Sequence, residues 1–203
     1  WGDSYGGRAE RTNAAVAYLD GLDKLPSAII QRGYYTQCYI WAVDWDGKEL
    51  NTRWLHRGTS RTAWSVITDI GGKLAEGTGT SSYGQGVHGI SVGDVDGDGS
   101  DELVIGSAKI DHDGRLLCVT GKGHGDALHL ADLCPDIEGL EVMMPHEESP
   151  YGYDVHKAAD GTFLVSATSA EDNGRGMAAA FIPSHKGSEF WSSADGNVYA
   201  CED

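Results

Sequence analysis

Short apolar segments alternate with acidic or glycine-containing loops along the whole chain. The apolar segments run for only a few residues, as in Ser27-Ala-Ile-Ile30, Leu103-Val-Ile105 and Val142-Met-Met144. Segments of that length, bounded by turn residues, are typical of β-strands and too short for helices. The pattern therefore predicts an all-β chain.

Asp-Gly pairs recur along the chain, at Asp46-Gly47, Asp113-Gly114, Asp160-Gly161 and Asp195-Gly196. Such pairs favour two-residue hairpin turns. Together with the acidic loops they define a unit of strand, acidic loop, strand, strand, Asp-Gly turn and strand. Four short strands repeating at roughly 40–50 residues are the signature of a β-propeller blade.

The repeat predicts a β-propeller of about four blades, each with four antiparallel strands. The blades are expected near residues 13–56, 86–121, 126–170 and 174–203, and residues 57–85, rich in Gly, Ser and Thr, are expected to form an insertion on one face. Propellers close as rings, and blades without neighbours expose edge strands and apolar faces. We therefore expect the chain to need further blades or a second copy.

One acidic loop has the spacing of a calcium site. Asp94, Asp96 and Asp98 place carboxylates at alternate positions, and Ca²⁺ is bound by hard oxygen ligands of this kind. An EF-hand would carry Glu where this chain has Ile105, and the flanking residues read as strands, so the loop is predicted to join two strands. An ion held there can serve the architecture alone. The predicted ligands are Asp94, Asp96, Asp98, Ser100 and Glu102.

Composition narrows the functional classes. The chain has 203 residues, with 29 glycines, 5 prolines and a formal net charge of −16. A negative field of this size repels nucleic acids and anionic membrane surfaces, so neither is expected as a partner. The apolar runs are too short for a membrane span. The start carries no basic-then-apolar leader, which favours a mature form or an internal piece.

The four cysteines, Cys38, Cys118, Cys134 and Cys201, are far apart and include no C-x-x-C pair. A zinc site is therefore not expected. We expect mostly buried free thiols. One or two disulfides remain the alternative for an exported protein.

Two histidines occupy the same position in adjacent repeats. His88 and His124 each precede the first strand of a predicted blade, and such loops converge at one mouth of a propeller's central axis. Asp126 lies two residues after His124, and Glu147 follows the second strand of the same blade. We expect the two histidines to converge. The alternative is that the imidazoles are neutral capping or turn groups. Arg175 lies at a similar position before the last blade, where a surface salt bridge is its simplest role.

The chain resembles a known family through an ordered series of motifs. They are Trp1-Gly-Asp-Ser-Tyr5-Gly-Gly-Arg8, Ala15-Val-Ala-Tyr-Leu-Asp-Gly21, Arg32-Gly-Tyr-Tyr-Thr36, Val92-Gly-Asp-Val-Asp-Gly-Asp-Gly99, Gly123-His-Gly-Asp-Ala-Leu-His129, His146-Glu147 and Gly174-Arg-Gly-Met-Ala-Ala179. In these the chain resembles the calcium-dependent rhamnogalacturonan lyases and matches about the middle third of a member. The resemblance implies an eight-bladed β-propeller that cleaves the pectic polysaccharide rhamnogalacturonan I by calcium-assisted β-elimination at galacturonate. It leaves open whether the action is endo or exo and which residue is the base.

The resemblance also implies roles for particular residues. It places His88, His124, Asp126 and Glu147 in a metal cluster of the central cleft. Asp126 and Glu147 are the implied Ca²⁺ ligands, and His88, His124 and Arg175 the implied catalytic residues. Histidine is an unusual ligand for Ca²⁺, so either imidazole can instead contact substrate.

Further calcium sites are implied where the acidic loop repeats. In the second loop Cys134 stands where the family has an aspartate, which weakens that site. In the last loop Ala180 and Ile182 replace two acids, so that ion is expected to be absent. The ligands implied for the second loop are Asp132, Asp136 and Glu138.

Two other functional classes remain open. One is a non-catalytic calcium-stabilised propeller that binds carbohydrate or protein, and the other is an inactive fragment of the lyase. The grouping of His88, His124, Asp126 and Glu147 favours the lyase, because a scaffold has no need of it. Secretion is expected, because the polymer cannot cross a membrane and extracellular modules use weaker calcium sites.

Overall fold

The structure, a computed structural model, describes residues 3, 4 and 6–201. Within them, a short 3₁₀-helix at Gly6–Arg8 precedes four antiparallel sheets. The first sheet contains β1 (Thr12–Ala17), β2 (Ser27–Arg32), β3 (Cys38–Trp45), β4 (Leu50–Ser60), β5 (Ala63–Ile67) and β6 (Lys73–Thr78). The second contains β7 (Gly86–Gly93), β8 (Glu102–Gly106), β9 (Ala108–Ile110) and β10 (Leu116–Val119). The third contains β11 (His129–Ala131), β12 (Glu141–His146), β13 (Gly152–Lys157) and β14 (Phe163–Thr168), and the fourth β15 (Gly176–Ala179), β16 (Glu189–Ser192) and β17 (Tyr199–Ala200).

Each sheet is a meander in which consecutive strands are hydrogen-bonded neighbours. The Asp-Gly pairs lie between β3 and β4, β9 and β10, β13 and β14, and β16 and β17. Gly47 and Gly114 have φ values of 96° and 85°, which only glycine adopts without a Cβ clash. The prediction of an all-β, antiparallel fold is confirmed. In the part of the chain described here, no helix is long and apolar enough to cross a membrane.

The first sheet differs from the expected blade. The segment 57–85, predicted as an insertion, contains the end of β4 together with β5 and β6, so the sheet has six strands. Val66 in β5 is fully buried and Trp64 packs against the core. Burial of these side chains outweighs the turn-like Gly, Ser and Thr content on which the prediction rested. The fourth sheet has three strands within the described residues, where four were expected.

The sheets pack on one another in chain order. Strand β8 is buried along its whole length. Leu103 and Ile105 pack with the first sheet, whereas Val104 packs with Val142 of the third sheet. Because successive side chains of a strand point to opposite faces, a strand with a sheet on either side carries a continuous apolar run.

A chain of buried polar groups joins the second and third sheets beneath the loop that carries Glu147. Lys109 donates to Nε2 of His156, whose Nδ1 donates to Asp154, and the other oxygen of Asp154 accepts from Nε2 of His146 at 2.5 Å. All four side chains are buried. Burial lowers the pKa of Lys109 to about 8. With the lysine charged and the His156 ring neutral, the bond from Lys109 and the bond to Asp154 each have one donor and one acceptor.

The cysteine expectation is wrong for one pair. Cys134 and Cys201 form a disulfide, with Cα atoms 5.5 Å apart. The two are 67 residues apart in sequence, and only the packing of the fourth sheet on the third brings them together. Cys38 and Cys118 are free thiols, as expected, with Cys38 fully buried.

Candidate metal-centred active site

The predicted cluster residues come from two neighbouring sheets. His88, expected just before the first strand of its sheet, lies within β7, while His124 and Asp126 lie in the loop before β11 and Glu147 follows β12. A parallel bridge joins Val87 to Gly125. The N–H of Glu147 donates to the carbonyl of His124 at 3.0 Å. These backbone contacts place the predicted residues side by side.

Three of the four predicted side chains form one compact group. Ligand atoms of His88, His124 and Asp126 all lie within 4.8 Å of one another. Nε2 of His88 is 3.0 Å from Oδ1 of Asp126, and Nε2 of His124 is 3.9 Å from the same oxygen. Glu147 completes the cluster, with Oε2 3.6 Å from Nε2 of His124.

The tautomer of His124 is fixed by its backbone partner. Nδ1 lies 2.6 Å from the carbonyl of Gly86 and donates to it, which leaves a lone pair on Nε2. That Nε2 is buried without a hydrogen-bond partner among the described residues. Burial lowers the pKa of His124 to about 4, so the ring is neutral at neutral pH. A neutral imidazole facing two carboxylates is a fitting set of donors for a metal ion.

Glycines let the loops approach this closely. A Cβ on Gly125 would lie 2.0 Å from the carbonyl oxygen of Pro145. A Cβ on Gly174 would lie 2.9 Å from Oε1 of Glu147 and 3.2 Å from Oδ2 of Asp126. A side chain at position 174 would push the carboxylates apart, and one at position 125 would push the loop away from the backbone of Pro145.

Arg175 reaches the cluster from the loop before β15. Its guanidinium forms an ion pair with Asp126 while most of its side chain remains exposed. The salt bridge considered as its simplest role therefore exists, and its partner is a cluster carboxylate. The exposed guanidinium can also contact an anionic ligand.

Sequence reasoning missed an aromatic wall beside the cluster. The hydroxyl of Tyr35 is 2.7 Å from Nε2 of His88. The ring of Tyr34 is stacked on that of His124, with centroids 5.8 Å apart. The only indication of these aromatic rings in the sequence was the motif Arg32-Gly-Tyr-Tyr-Thr36. Its position in the fold depends on tertiary packing, so the sequence did not place it beside the cluster.

The predicted calcium loop folds around its own carboxylates. Asp94 accepts from the N–H groups of Gly97 and Gly99 at 2.8 and 3.0 Å. Ligand atoms of Asp94, Asp96 and Glu102 lie within 4.8 Å of one another, and Asp98 and Glu102 form a similar group with His112. Ser100 contributes a backbone N–H, which donates to Asp98 at 2.8 Å.

Glu102 is the buried end of this loop. Its Oε2 accepts from the N–H of Val95 at 2.8 Å, and its Oε1 is buried with no hydrogen-bond partner in the described part of the chain. Burial, with added repulsion from Asp96 and Asp98, raises the pKa of Glu102 to about 8. A bound cation would relieve both effects, so the residues fit a metal ion.

The second acidic loop has a different construction. Its predicted ligands, Asp132, Asp136 and Glu138, are exposed and form none of the three potential metal-binding groups found among the described residues. Asp136 forms an ion pair with Lys186, and Cys134 is held by its disulfide. The loop is thus tied to the fourth sheet by side chains of this chain.

Two further glutamates repeat the position of Glu102 and were missed. Oε2 of Glu141 accepts from the N–H groups of Leu133 and Cys134 at 2.9 and 3.0 Å. Glu189 accepts in the same way from Phe181 and Ile182 at 2.9 and 3.1 Å. Each begins the second strand of its sheet, as Glu102 does. That shared position was the available signal.

Comparison with known proteins agrees with this arrangement. A sequence profile described as "Rhamnogalacturonan lyase family 11, C-terminal domain" matches residues 1–203. The chain is 43% identical over 194 residues to "Rhamnogalacturonan exolyase YesX" of Bacillus subtilis (strain 168), covering 94% of this chain and 29% of the relative. It is 41% identical over 204 residues to "Rhamnogalacturonan endolyase YesW" of the same organism, covering 100% and 30%.

Solved structures of rhamnogalacturonan lyases also resemble this chain. A rhamnogalacturonan lyase PL11 of Bacillus licheniformis superposes with a TM-score of 0.81 at 41% identity, covering 100% of this chain and 32% of that one. The crystal structure of the exotype lyase YesX superposes with a TM-score of 0.82 at 39% identity and the same coverage.

These matches define a chain of the rhamnogalacturonan lyase class. The chain belongs to rhamnogalacturonan lyase family 11. It spans about a third or less of the length of the relatives it matches. An exolyase and an endolyase match it at similar identity.

Proposed function

We propose that the protein to which this chain belongs cleaves rhamnogalacturonan I by β-elimination at galacturonate and that this chain supplies its metal cluster. The observation that carries the proposal is the unpaired Nε2 of His124 facing Asp126 and Glu147. A structural scaffold gains nothing from a buried imidazole lone pair opposed to two carboxylates. A metal-assisted active site requires such a set.

We propose further that the four sheets are consecutive blades of an eight-bladed β-propeller. The remaining blades would come from the rest of the full-length protein, since the relatives are about three times as long as this chain. Contacts between β1 and β7, between β7 and β11, and between β12 and β15 support this arrangement. Two of these contacts join the first strands of successive sheets, and the innermost strands of propeller blades meet in the same way around a central axis. The cluster then lies at the mouth of that axis.

Asp126 and Glu147 are the residues that would hold Ca²⁺, with His124 beside them. When bound there, the ion neutralises the galacturonate carboxylate and stabilises the charge that develops as the C5 proton leaves. The carboxylates suit Ca²⁺ and the imidazoles suit softer metals. Nε2 of His124 therefore counts as the weaker donor in a calcium site.

His88 is the imidazole that can reach substrate. Its side chain is 28% exposed, against 4% for His124. Burial, with the charges of Arg11, Arg175 and Arg8, lowers the pKa of His88, so the ring is neutral at neutral pH and can accept a proton. Arg175, exposed beside it, is placed to bind an anionic group of the substrate.

The loop from Asp94 to Glu102 is proposed as a structural calcium site, because it lies away from the cluster and joins two strands. Secretion is proposed as the location of the protein. The disulfide between Cys134 and Cys201 supports it, since disulfides persist in oxidising compartments.

The test is incubation of the full-length protein with rhamnogalacturonan I, in calcium and then in excess chelator. Ultraviolet absorbance of the unsaturated uronide should rise with calcium and stop rising with chelator. A flat trace from folded, calcium-loaded protein would leave a non-catalytic propeller as the function. Cleavage that the chelator does not affect would contradict the metal role.

A further inference from the structure

Two sequence motifs without an assigned role meet beside the metal cluster. The carboxylate of Asp3 accepts hydrogen bonds from the N–H groups of Tyr34, Tyr35 and Thr36 at 2.9, 3.1 and 2.7 Å. It also accepts from the hydroxyl of Thr36 at 2.6 Å. Asp3 is only 3% exposed. The turn that carries both tyrosines is therefore folded around one buried carboxylate, which fixes where their rings lie.

Tyr35 stands between the cluster and a cation. Its hydroxyl is 2.7 Å from Nε2 of His88, and its ring centroid is 4.2 Å from that of His124. The guanidinium of Arg8 lies over the same ring, with Cζ 3.8 Å from the centroid. A guanidinium at this distance is attracted by the face of the ring.

Arg8 ends the 3₁₀-helix and is exposed to solvent. The carbonyl of the next residue, Ala9, accepts from Arg32 at 2.8 Å, which holds the backbone at this point. Among residues 3, 4 and 6–201, no carboxylate forms an ion pair with Arg8. A guanidinium that stacks by its face keeps its N–H donors in the plane, where they match the two oxygens of a carboxylate.

Arg8 lies over the ring of Tyr35, whose hydroxyl contacts His88, and Arg175 pairs with Asp126. The two arginines thus place cationic groups beside a cluster whose other charges are carboxylates. An anionic sugar approaching the cluster would meet them first.

We propose that Arg8, held on the face of Tyr35, binds a uronate carboxylate of the polysaccharide, and that Asp3 and Tyr35 are the residues that position it. The proposal rests on the proposed function for its substrate class. It adds a specificity residue outside the metal cluster. Neutral sugars of the same size have no group that can form this contact.

The test is isothermal titration of the full-length protein with rhamnogalacturonan I oligosaccharides and with the same oligosaccharides after reduction of their carboxyl groups. Calcium-free buffer is used, in which the proposed function predicts no cleavage. Arg8→Gln should weaken binding of the acidic oligosaccharides about 10-fold or more, as expected for a charged hydrogen-bonded pair. It should leave binding of the reduced oligosaccharides unchanged.

Two variants of Tyr35 distinguish its role in positioning Arg8 from a general loss of structure at the site. Tyr35→Phe keeps the ring beneath Arg8 and should retain the preference for acidic over reduced oligosaccharides. Tyr35→Leu removes the ring face and should lower that preference as Arg8→Gln does. Arg61→Gln is the matched control, since Arg61 also lies over a tyrosine, Tyr83, at 5.6 Å, and among the described residues it forms no ion pair with a cluster carboxylate.

Equal weakening of both oligosaccharides by Arg8→Gln, or no weakening of either, would overturn the proposal. Loss of the acidic preference in Tyr35→Phe would also overturn the positioning role. Failure of the proposed function would be seen separately from failure of the carboxylate site, because the protein would then not cleave the polysaccharide in the presence of calcium. Binding that still depends on Arg8 in a protein without lyase activity would support the carboxylate site by itself.

Discussion

Nε2 of His124 lies 3.6 Å from Oε2 of Glu147. The neutral ring has one N–H, at Nδ1, which donates to Gly86, so Nε2 and an ionised carboxylate face each other as two acceptors. Two acceptors in contact at a partly buried site repel each other unless a cation lies between them. This pair therefore links the fold to the metal chemistry proposed for the cluster.

Removal of one cluster carboxylate should weaken cation binding while the fold is retained. Asp126→Asn is expected to lower the affinity of the cluster for calcium by about 10-fold or more, since ligand charge sets calcium affinity and even supporting residues have effects of that size. Titration calorimetry measures it. Glu76→Gln is the control, because Glu76 forms an exposed pair with Lys73 on the first sheet. Equal affinity in Asp126→Asn and the wild type would refute the assignment.

Much of this cluster was predictable because it depends on repeat register. His88 and His124 occupy equivalent positions in the sequence repeat, and on that basis they were predicted to converge, although the structure places His88 within β7 and His124 in the loop before β11. Tyr35 and Arg8 were not predictable in this way, because they come from a turn and an N-terminal segment whose placement depends on the buried Asp3.

The disulfide and the extra strands escaped prediction for related reasons. Cys134 and Cys201 meet only after two sheets have packed, and their spacing carries no local signal. Strands β5 and β6 lie in a segment whose overall Gly, Ser and Thr content predicted a loop. Val66 and Trp64 of β5 and Ala75 of β6 pack with the core, which is a tertiary effect.

The loop from Asp94 to Glu102 should make the second sheet sensitive to chelators. Without the ion, Glu102 is buried with an unpartnered oxygen close to other carboxylates. We expect calcium to raise the midpoint of thermal unfolding of the wild type and to raise it less in Asp96→Asn. Calorimetric scans with calcium and with chelator measure the difference. An unchanged calcium response in Asp96→Asn would show that the ion binds elsewhere.

The disulfide should stabilise the contact between the third and fourth sheets. Replacing both Cys134 and Cys201 by Ser is expected to lower the free energy of unfolding by about 2–4 kcal/mol, the usual effect of a native disulfide. Urea denaturation with and without reductant measures it. Reductant should destabilise the wild type and leave the double variant unchanged. Cys38→Ser provides a variant in which the response to reductant should persist, because its thiol is free.

His56 should make stability depend on pH. Its Nδ1 is 2.8 Å from the carbonyl of Gly114 and its Nε2 is 2.8 Å from Oγ of Ser82. Burial lowers its pKa from 6.5 to about 4. The neutral ring is therefore favoured by folding, and its contribution to stability is full above the unfolded pKa and is lost as the pH falls towards the folded one.

Comparison with His56→Gln isolates this effect. Between pH 7 and pH 4, the free energy of unfolding of the wild type should fall by about 3 kcal/mol relative to the variant. Chemical denaturation at a series of pH values gives this difference. Parallel pH profiles for the two proteins would contradict the buried neutral imidazole.

The most direct test of the central claim is the initial rate of unsaturated uronide formation in saturating calcium. The rate is measured for the full-length protein carrying Glu147→Gln, for the wild type and for Asp96→Asn. If the cluster is the catalytic metal centre, Glu147→Gln should lose about 100-fold or more in rate, as when a transition-state charge contact is removed. Asp96→Asn should keep most of the activity at temperatures where it is folded. Undiminished cleavage by folded Glu147→Gln protein would contradict the account, because the reaction would then not depend on the cluster.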